Sequence, residues 1–126
     1  MGLGLTFDTG ALIALERRSQ RMTDVFRRAT QRGVRITVPA AVVTEWWRGQ
    51  KGRLFRDLLA SVEIELLDQR LAQTAGVALA ATGGANAVDA IVVASAAQRG
   101  DLVYTSDFED LARLGEHFRG VRILSA

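Results

Sequence analysis

NAVDAIVVASAAQR, residues 86–99, decides how the rest of the chain is read. Ala87, Val88, Ala90, Ile91, Val92, Val93, Ala94, Ala96 and Ala97 leave no polar side, so the run is a helix apolar all round and belongs inside a protein. Asp89 stands in its first turn. An ionised carboxylate taken out of water needs a cation, a metal or several hydrogen-bond donors, and otherwise takes up a proton. The plain alternative is a capping box, in which Asn86 and the acid three positions later satisfy free backbone N–H groups at the positive end of the helix dipole. Taken alone, Asp89 reads as a cap; other acids in equally awkward places would change that reading.

Outward from this helix, short β-forming runs alternate with helical ones. Strands are expected at residues 3–7 (LGLTF), 34–38 (VRITV), 62–67, 102–105 (LVYT) and 121–124, with 62–67 at an edge because its polarity alternates. Helices are expected at residues 11–16, 23–32, 39–47, 54–61, 71–81, 86–99 and 106–117. Thr23 or Asp24 would cap the second of these and Gly33 end it, Pro39 would open the third, and Gly49, Gly52, Thr82, Gly83 and Gly84 mark breaks. Strands separated by helices throughout imply a mostly parallel central sheet with right-handed crossovers, a three-layer α/β/α sandwich. The 126 residues are read as one domain, large enough to bury a core without staples.

Composition narrows the function classes. With 48% hydrophobic residues the chain is not a disordered segment. The absence of cysteine removes disulfides, thiolate nucleophiles and zinc–sulfur sites, and fits a cytoplasmic location. The longest apolar run is about half of a membrane span, and nothing near Met1 resembles a secretion signal. Met1, Gly2 and Thr6 match the loose myristoylation pattern, which is read as chance because Gly2 would open the first strand. The net charge is only +2, but the bases are lopsided: seven arginines stand between Arg17 and Arg35 against Asp24 alone, and residues 48–56 hold four bases and no acid. A basic face able to attract a polyanion fits inside so modest a total. Taken singly, Arg27, Arg28 and Arg32 are read more simply as the wet side of a helix.

Four acids stand where an α/β sheet gathers ligands, beyond the carboxyl ends of its strands. Asp8 follows the first strand, Asp107 lies two residues beyond the fourth, Asp89 opens the helix leading into it, and Glu45 lies about two turns into the helix after strand two. Asp8 and Asp107 each have a capping alternative. Glu45, between Val43 and Trp46–Trp47, has none, leaving only an ion pair with Arg48 or an exposed stripe. If the acids converge, like charges oppose one another and the cluster makes sense as a cation site; all-oxygen ligands favour magnesium or manganese. Such ions activate water against a phosphodiester. Trp46 and Trp47 suit core packing or an interface better than base stacking.

FDTGALIAL, VVTEWW, NAVDAIVVASAAQRG and LVYTSDFEDL, in that order over essentially the whole chain, resemble a PIN domain, most of all the VapC-type toxins of bacterial toxin–antitoxin pairs. The resemblance implies an α/β/α sandwich and a magnesium- or manganese-dependent endoribonuclease with Asp8, Glu45, Asp89 and Asp107 on the family's acidic positions. Asp110 is an alternative fourth ligand, and the choice between it and Asp107 stays open. The resemblance also implies a homodimer and a cognate antitoxin whose tail crosses the groove. Gly10 departs from the Ser or Thr many members carry there, so a supporting hydrogen bond is missing or comes from Thr9. Other acid-bearing α/β families fit less well: a receiver domain needs a lysine after its last strand, and Lys51 is misplaced; a haloacid-dehalogenase phosphatase needs an Asp where Gly10 stands; and no P-loop is present. The rival reading is a catalytically silent PIN-like domain that binds RNA or protein, with its acids serving as caps.

Overall fold

The computed structural model describes residues 3–48, 52–83 and 86–126. In chain order the elements are β1 Leu5–Phe7, α1 Thr9–Glu16, α2 Gln20–Gln31, β2 Ile36–Pro39, α3 Ala40–Trp47, α4 Arg53–Ala60, β3 Glu63–Glu65, α5 Gln69–Thr82, α6 Ala87–Arg99, β4 Leu102–Thr105, α7 Phe108–Gly115 and β5 Arg122–Ser125. All strand pairs are parallel, in the order β3-β2-β1-β4-β5. The central strands β1 and β2 are buried at every position, whereas the edges β3 and β5 alternate or lie open, as expected of strands covered on both faces and on fewer.

Side-chain direction alternates along each strand. Leu5 and Phe7 face the layer built from α1 and α2, and Phe7 meets Tyr104 edge-on with ring centroids 6.0 Å apart. Thr6 faces the other way and bonds to Arg99 of α6. That second layer is α6 flanked by α5 and α7. Helix α6 fills the role its composition demands: Ala90, Val92, Val93, Ala94 and Ala96 are fully buried. Each buried valine there contributes about 1.5 kcal/mol or more of transfer free energy. The three-layer α/β/α fold is the one the alternating pattern calls for. No single helix among the described residues is long and apolar enough to cross a membrane.

Several boundaries move for local reasons. Helix α2 begins at Gln20 rather than residue 23 because the Ser19 hydroxyl caps it, accepting from Met22 N at 3.3 Å; Asp24 instead pairs with Arg27 at 2.8 Å. Helix α5 begins two residues early on the Asp68 cap. Strand β2 keeps Pro39 as its last residue, and the helix starts after it. The breaks expected at Gly49 and Gly84, together with Met1, Gly2 and Lys51, lie outside the described residues.

Candidate metal centre

At the carboxyl edge of the sheet, α6 presents its first turn. Asn86 caps it, with its side-chain oxygen accepting from Asp89 N at 2.8 Å. That is half of a capping box, and it leaves the carboxylate of Asp89 uncommitted. Asp89 is 9% exposed, and its Oδ2 is buried without a hydrogen-bond partner. Burial, then the charges of Asp107, Asp8, Asp110 and Glu45, push its pKa up to about 7. All four other acids therefore act on Asp89.

Asp8 leaves β1 on the α6 side and does two things at once. Its Oδ1 caps α1, accepting from Ala11 N at 2.8 Å, and its Oδ2 accepts the hydroxyl of Thr105. Burial still raises its pKa, with Asp107 adding to the effect, against the hydrogen bonds from Thr105, Ala11 and Gly10. Thr105 in turn accepts from Asp107 N at 2.8 Å, so one hydroxyl ties the end of β1 to the loop before α7. Asp107 occupies the N-cap position of α7, yet its side chain accepts no capping bond. Its pKa is raised by desolvation and by Asp110 one turn on. Asp89, Asp107 and Asp110 each offer a carboxylate oxygen, and the three oxygens lie within 4.8 Å of one another. Both candidates for the fourth acid thus join Asp89. Asp110 also meets Arg113 at 3.2 Å, an exposed pair.

Asp8 and Glu45 stand outside that closest group. Glu45, half-buried on α3, accepts the Thr9 hydroxyl at 2.6 Å. No ion pair with Arg48 is found among the described residues; the Arg48 Nε donates to the backbone oxygen of Glu45 at 2.9 Å. Thr9 thus supplies a supporting hydrogen bond to one of the candidate acids. Ser106 fills the space at Gly10: a Cβ there would lie 1.8 Å from Ser106 Oγ and 2.5 Å from its Cβ. The β4–α7 loop is seated directly on α1 through this contact. Thr105 and Ser106 escape a motif search, although the position of Thr105, last in β4 and two before Asp107, was a usable signal.

Trp46 is a core residue, 3% exposed, edge-on to Trp47 and Phe55 and donating its indole N–H to Glu16 at 3.0 Å. The basic stretch does not form one face. Arg32 borders a hollow with Leu3 and Gly4 at the amino edge of the sheet, whereas Arg17 lies beside Glu45 at the carboxyl edge.

An orphaned buried carboxylate oxygen, two further acids within reach and a donor set of oxygens alone fit a hard divalent cation. Asp89, Asp107 and Asp110 could hold it, with Asp8 and Glu45 adding negative field at its margin.

Comparisons with known proteins bear on the fold and the family. In fold the chain is similar to a VapBC from Salmonella typhimurium solved bound to DNA, with a TM-score of 0.74, 20% identity and 98% of each chain covered. It is similar too to VapBC2 from Rickettsia felis bound to a promoter DNA fragment, at TM-score 0.76, 11% identity and 98% and 99% coverage. A toxin–antitoxin complex from Klebsiella pneumoniae matches at TM-score 0.73, 19% identity and 86% and 91% coverage. No curated protein matches the chain in sequence. The PIN domain family model matches residues 5–116. The chain belongs to the PIN-domain family.

Proposed function

We propose that the protein is a metal-dependent endoribonuclease, the toxin of a VapBC-type toxin–antitoxin pair. The observation that carries this reading is the convergence of carboxylate oxygens from Asp89, Asp107 and Asp110 within 4.8 Å of one another, beside an Asp89 Oδ2 that is buried with no donor among the described residues. Asp89, Asp107 and Asp110 are the residues proposed to hold magnesium or manganese, and Asp8 and Glu45 at the margin complete the proposed catalytic set. The bound ion would supply activation of water and neutralisation of charge on the phosphate. The protein's own part is to keep these acids close, with Asp8 and Asp89 buried and Asp107 open to solvent. Thr105 fixes Asp8 against the Asp107 loop, Thr9 fixes Glu45, and Ser106 against Gly10 sets how near the loop approaches.

RNA as substrate rests on the resemblance to VapC toxins. An antitoxin partner is supported by neighbours that are toxin–antitoxin complexes. A homodimer belongs to the same proposal. The test is purified protein with magnesium, manganese or EDTA against cellular RNAs, with cleavage ends mapped. Metal-dependent cuts at defined positions are expected, together with a metal-induced rise in Tm, since an ion at 100 times its Kd stabilises the native state by about 2.7 kcal/mol. No cleavage and no change in Tm would leave only the binding-domain reading.

A further inference from the structure

The acidic mouth is electrically lopsided. On the α7 side stand Asp107, Glu109 and Asp110, and Arg113 there is tied to Asp110. On the other side, between α1 and α3, a groove of about 240 Å³ opens beside Thr9 and Glu45, with Arg17 and Arg48 on its walls. The carboxylates of this groove are engaged, Glu45 by the Thr9 hydroxyl and Glu16 by the Trp46 indole. Its guanidinium groups are free of acids: among the described residues neither Arg17 nor Arg48 has an ion-pair partner, whereas Arg27, Arg35, Arg99 and Arg113 each have one. Arg48 closes α3 in the left-handed region at φ +38°, and its Nε bond to the Glu45 backbone fixes the start of the guanidinium. Among the described residues the terminal nitrogens of that group have no hydrogen-bond partner.

We propose that this groove is a subsite for the phosphodiester backbone of single-stranded RNA. Arg17 and Arg48 grip two phosphates on one side of the cut, and the strand leaves the mouth over α1 and α3, away from the acids of α7. Arginine suits phosphate because its planar fork donates in pairs. The proposal rests on the nuclease reading for the identity of the polyanion.

The test measures binding of a fluorescent single-stranded RNA to the full chain carrying Asp8→Asn, so that turnover does not interfere, between about 50 and 200 mM salt. Adding Arg17→Ala and Arg48→Ala is expected to flatten the plot of log Kd against log salt by about 1.4, at about 0.7 per phosphate for single strands. Adding Arg28→Ala and Arg32→Ala, exposed residues on α2 and at its C-cap, is expected to leave the slope unchanged. In the wild-type background the Arg17/Arg48 variant should show a manganese-induced Tm rise equal to that of the unaltered chain. With nested substrates, trimming RNA on one side of the mapped cut should raise KM, and the double arginine variant should lose that asymmetry. Equal slopes in both arginine variants, or no RNA binding at all, overturn the subsite. Cleavage with an unchanged slope would sink the groove alone, and a slope difference without any cleavage would sink the nuclease alone.

Discussion

The two ends of α6 treat buried carboxylates in opposite ways. At its C-terminus Arg99 reaches Glu65 at 2.6 Å, Asp101 at 2.9 Å and the Thr6 hydroxyl at 2.8 Å; Thr6 itself donates to Asp101, and Ser95 donates to Glu65. Gly4 makes room for this arrangement, since a Cβ there would lie 2.5 Å from Asp101 Oδ1. At the N-terminus five acids gather, and among the described residues the one ion pair that touches them is the exposed pair of Arg113 with Asp110. Asp101 also keeps one oxygen without a hydrogen bond, but its carboxylate already faces Arg99. Burying an acid is therefore not the functional signal in this protein. The proposed site differs in being a group of acids with no buried cation among the described residues.

The contrast breaks most visibly in activity. Asp8→Asn or Asp89→Asn is expected to lower RNA cleavage by roughly 10³-fold or more, several kcal/mol of transition-state stabilisation, with the far-UV circular dichroism spectrum unchanged. Full activity in either variant would contradict the site. Arg99→Ala tests the other end: it strands two carboxylates, so chemical denaturation should show a loss of about 3 kcal/mol, while manganese affinity of the folded protein stays the same.

Asp89→Asn should move stability the opposite way. A carboxyl raised from 3.8 to about 7 binds its proton more tightly in the native chain than in the unfolded one. Its contribution is complete below pH 3.8 and is lost as pH rises through about 7, so the metal-free protein weakens over that window. In EDTA at pH 7.5 the Asn variant is expected to be more stable by about 2 kcal/mol, a Tm rise of roughly 5–10 °C, and to show a flatter Tm profile between pH 4 and 7. A lower Tm at every pH would mean that Asp89 is structural. The smallest effect belongs to Gly10→Ala, which collides with Ser106 and should cost about 1–2 kcal/mol. Adding Ser106→Gly should recover most of that loss, along with manganese affinity; a strictly additive double variant would show that the loop is not seated on Gly10.

Most of the architecture was legible because its signals are local. An all-apolar helix has one place to go, and strands spaced by helices have few topologies. The acids were legible because each follows a strand end or interrupts an apolar helix. Thr105 and Ser106 were not, because a hydroxyl joining Asp8 to Asp107 has meaning only once residues 97 apart are side by side. The Arg99 network was missed for the same reason, although Thr6 inside an otherwise apolar strand and Arg99 and Asp101 flanking a glycine could have raised it. The single basic face was over-read: charge counted along the chain does not say toward which end of the sheet an arginine points.

What the sequence determined by itself is the layering of helices on a parallel sheet and the presence of carboxylates, Asp89 above all, in apolar surroundings, both consequences of pattern and burial energetics. What only the tertiary structure decided is which carboxylates share a mouth and which receive an arginine. The reason is electrostatic: whether a buried charge is compensated depends on separations of a few ångströms between residues far apart in the chain, and those distances exist only after folding.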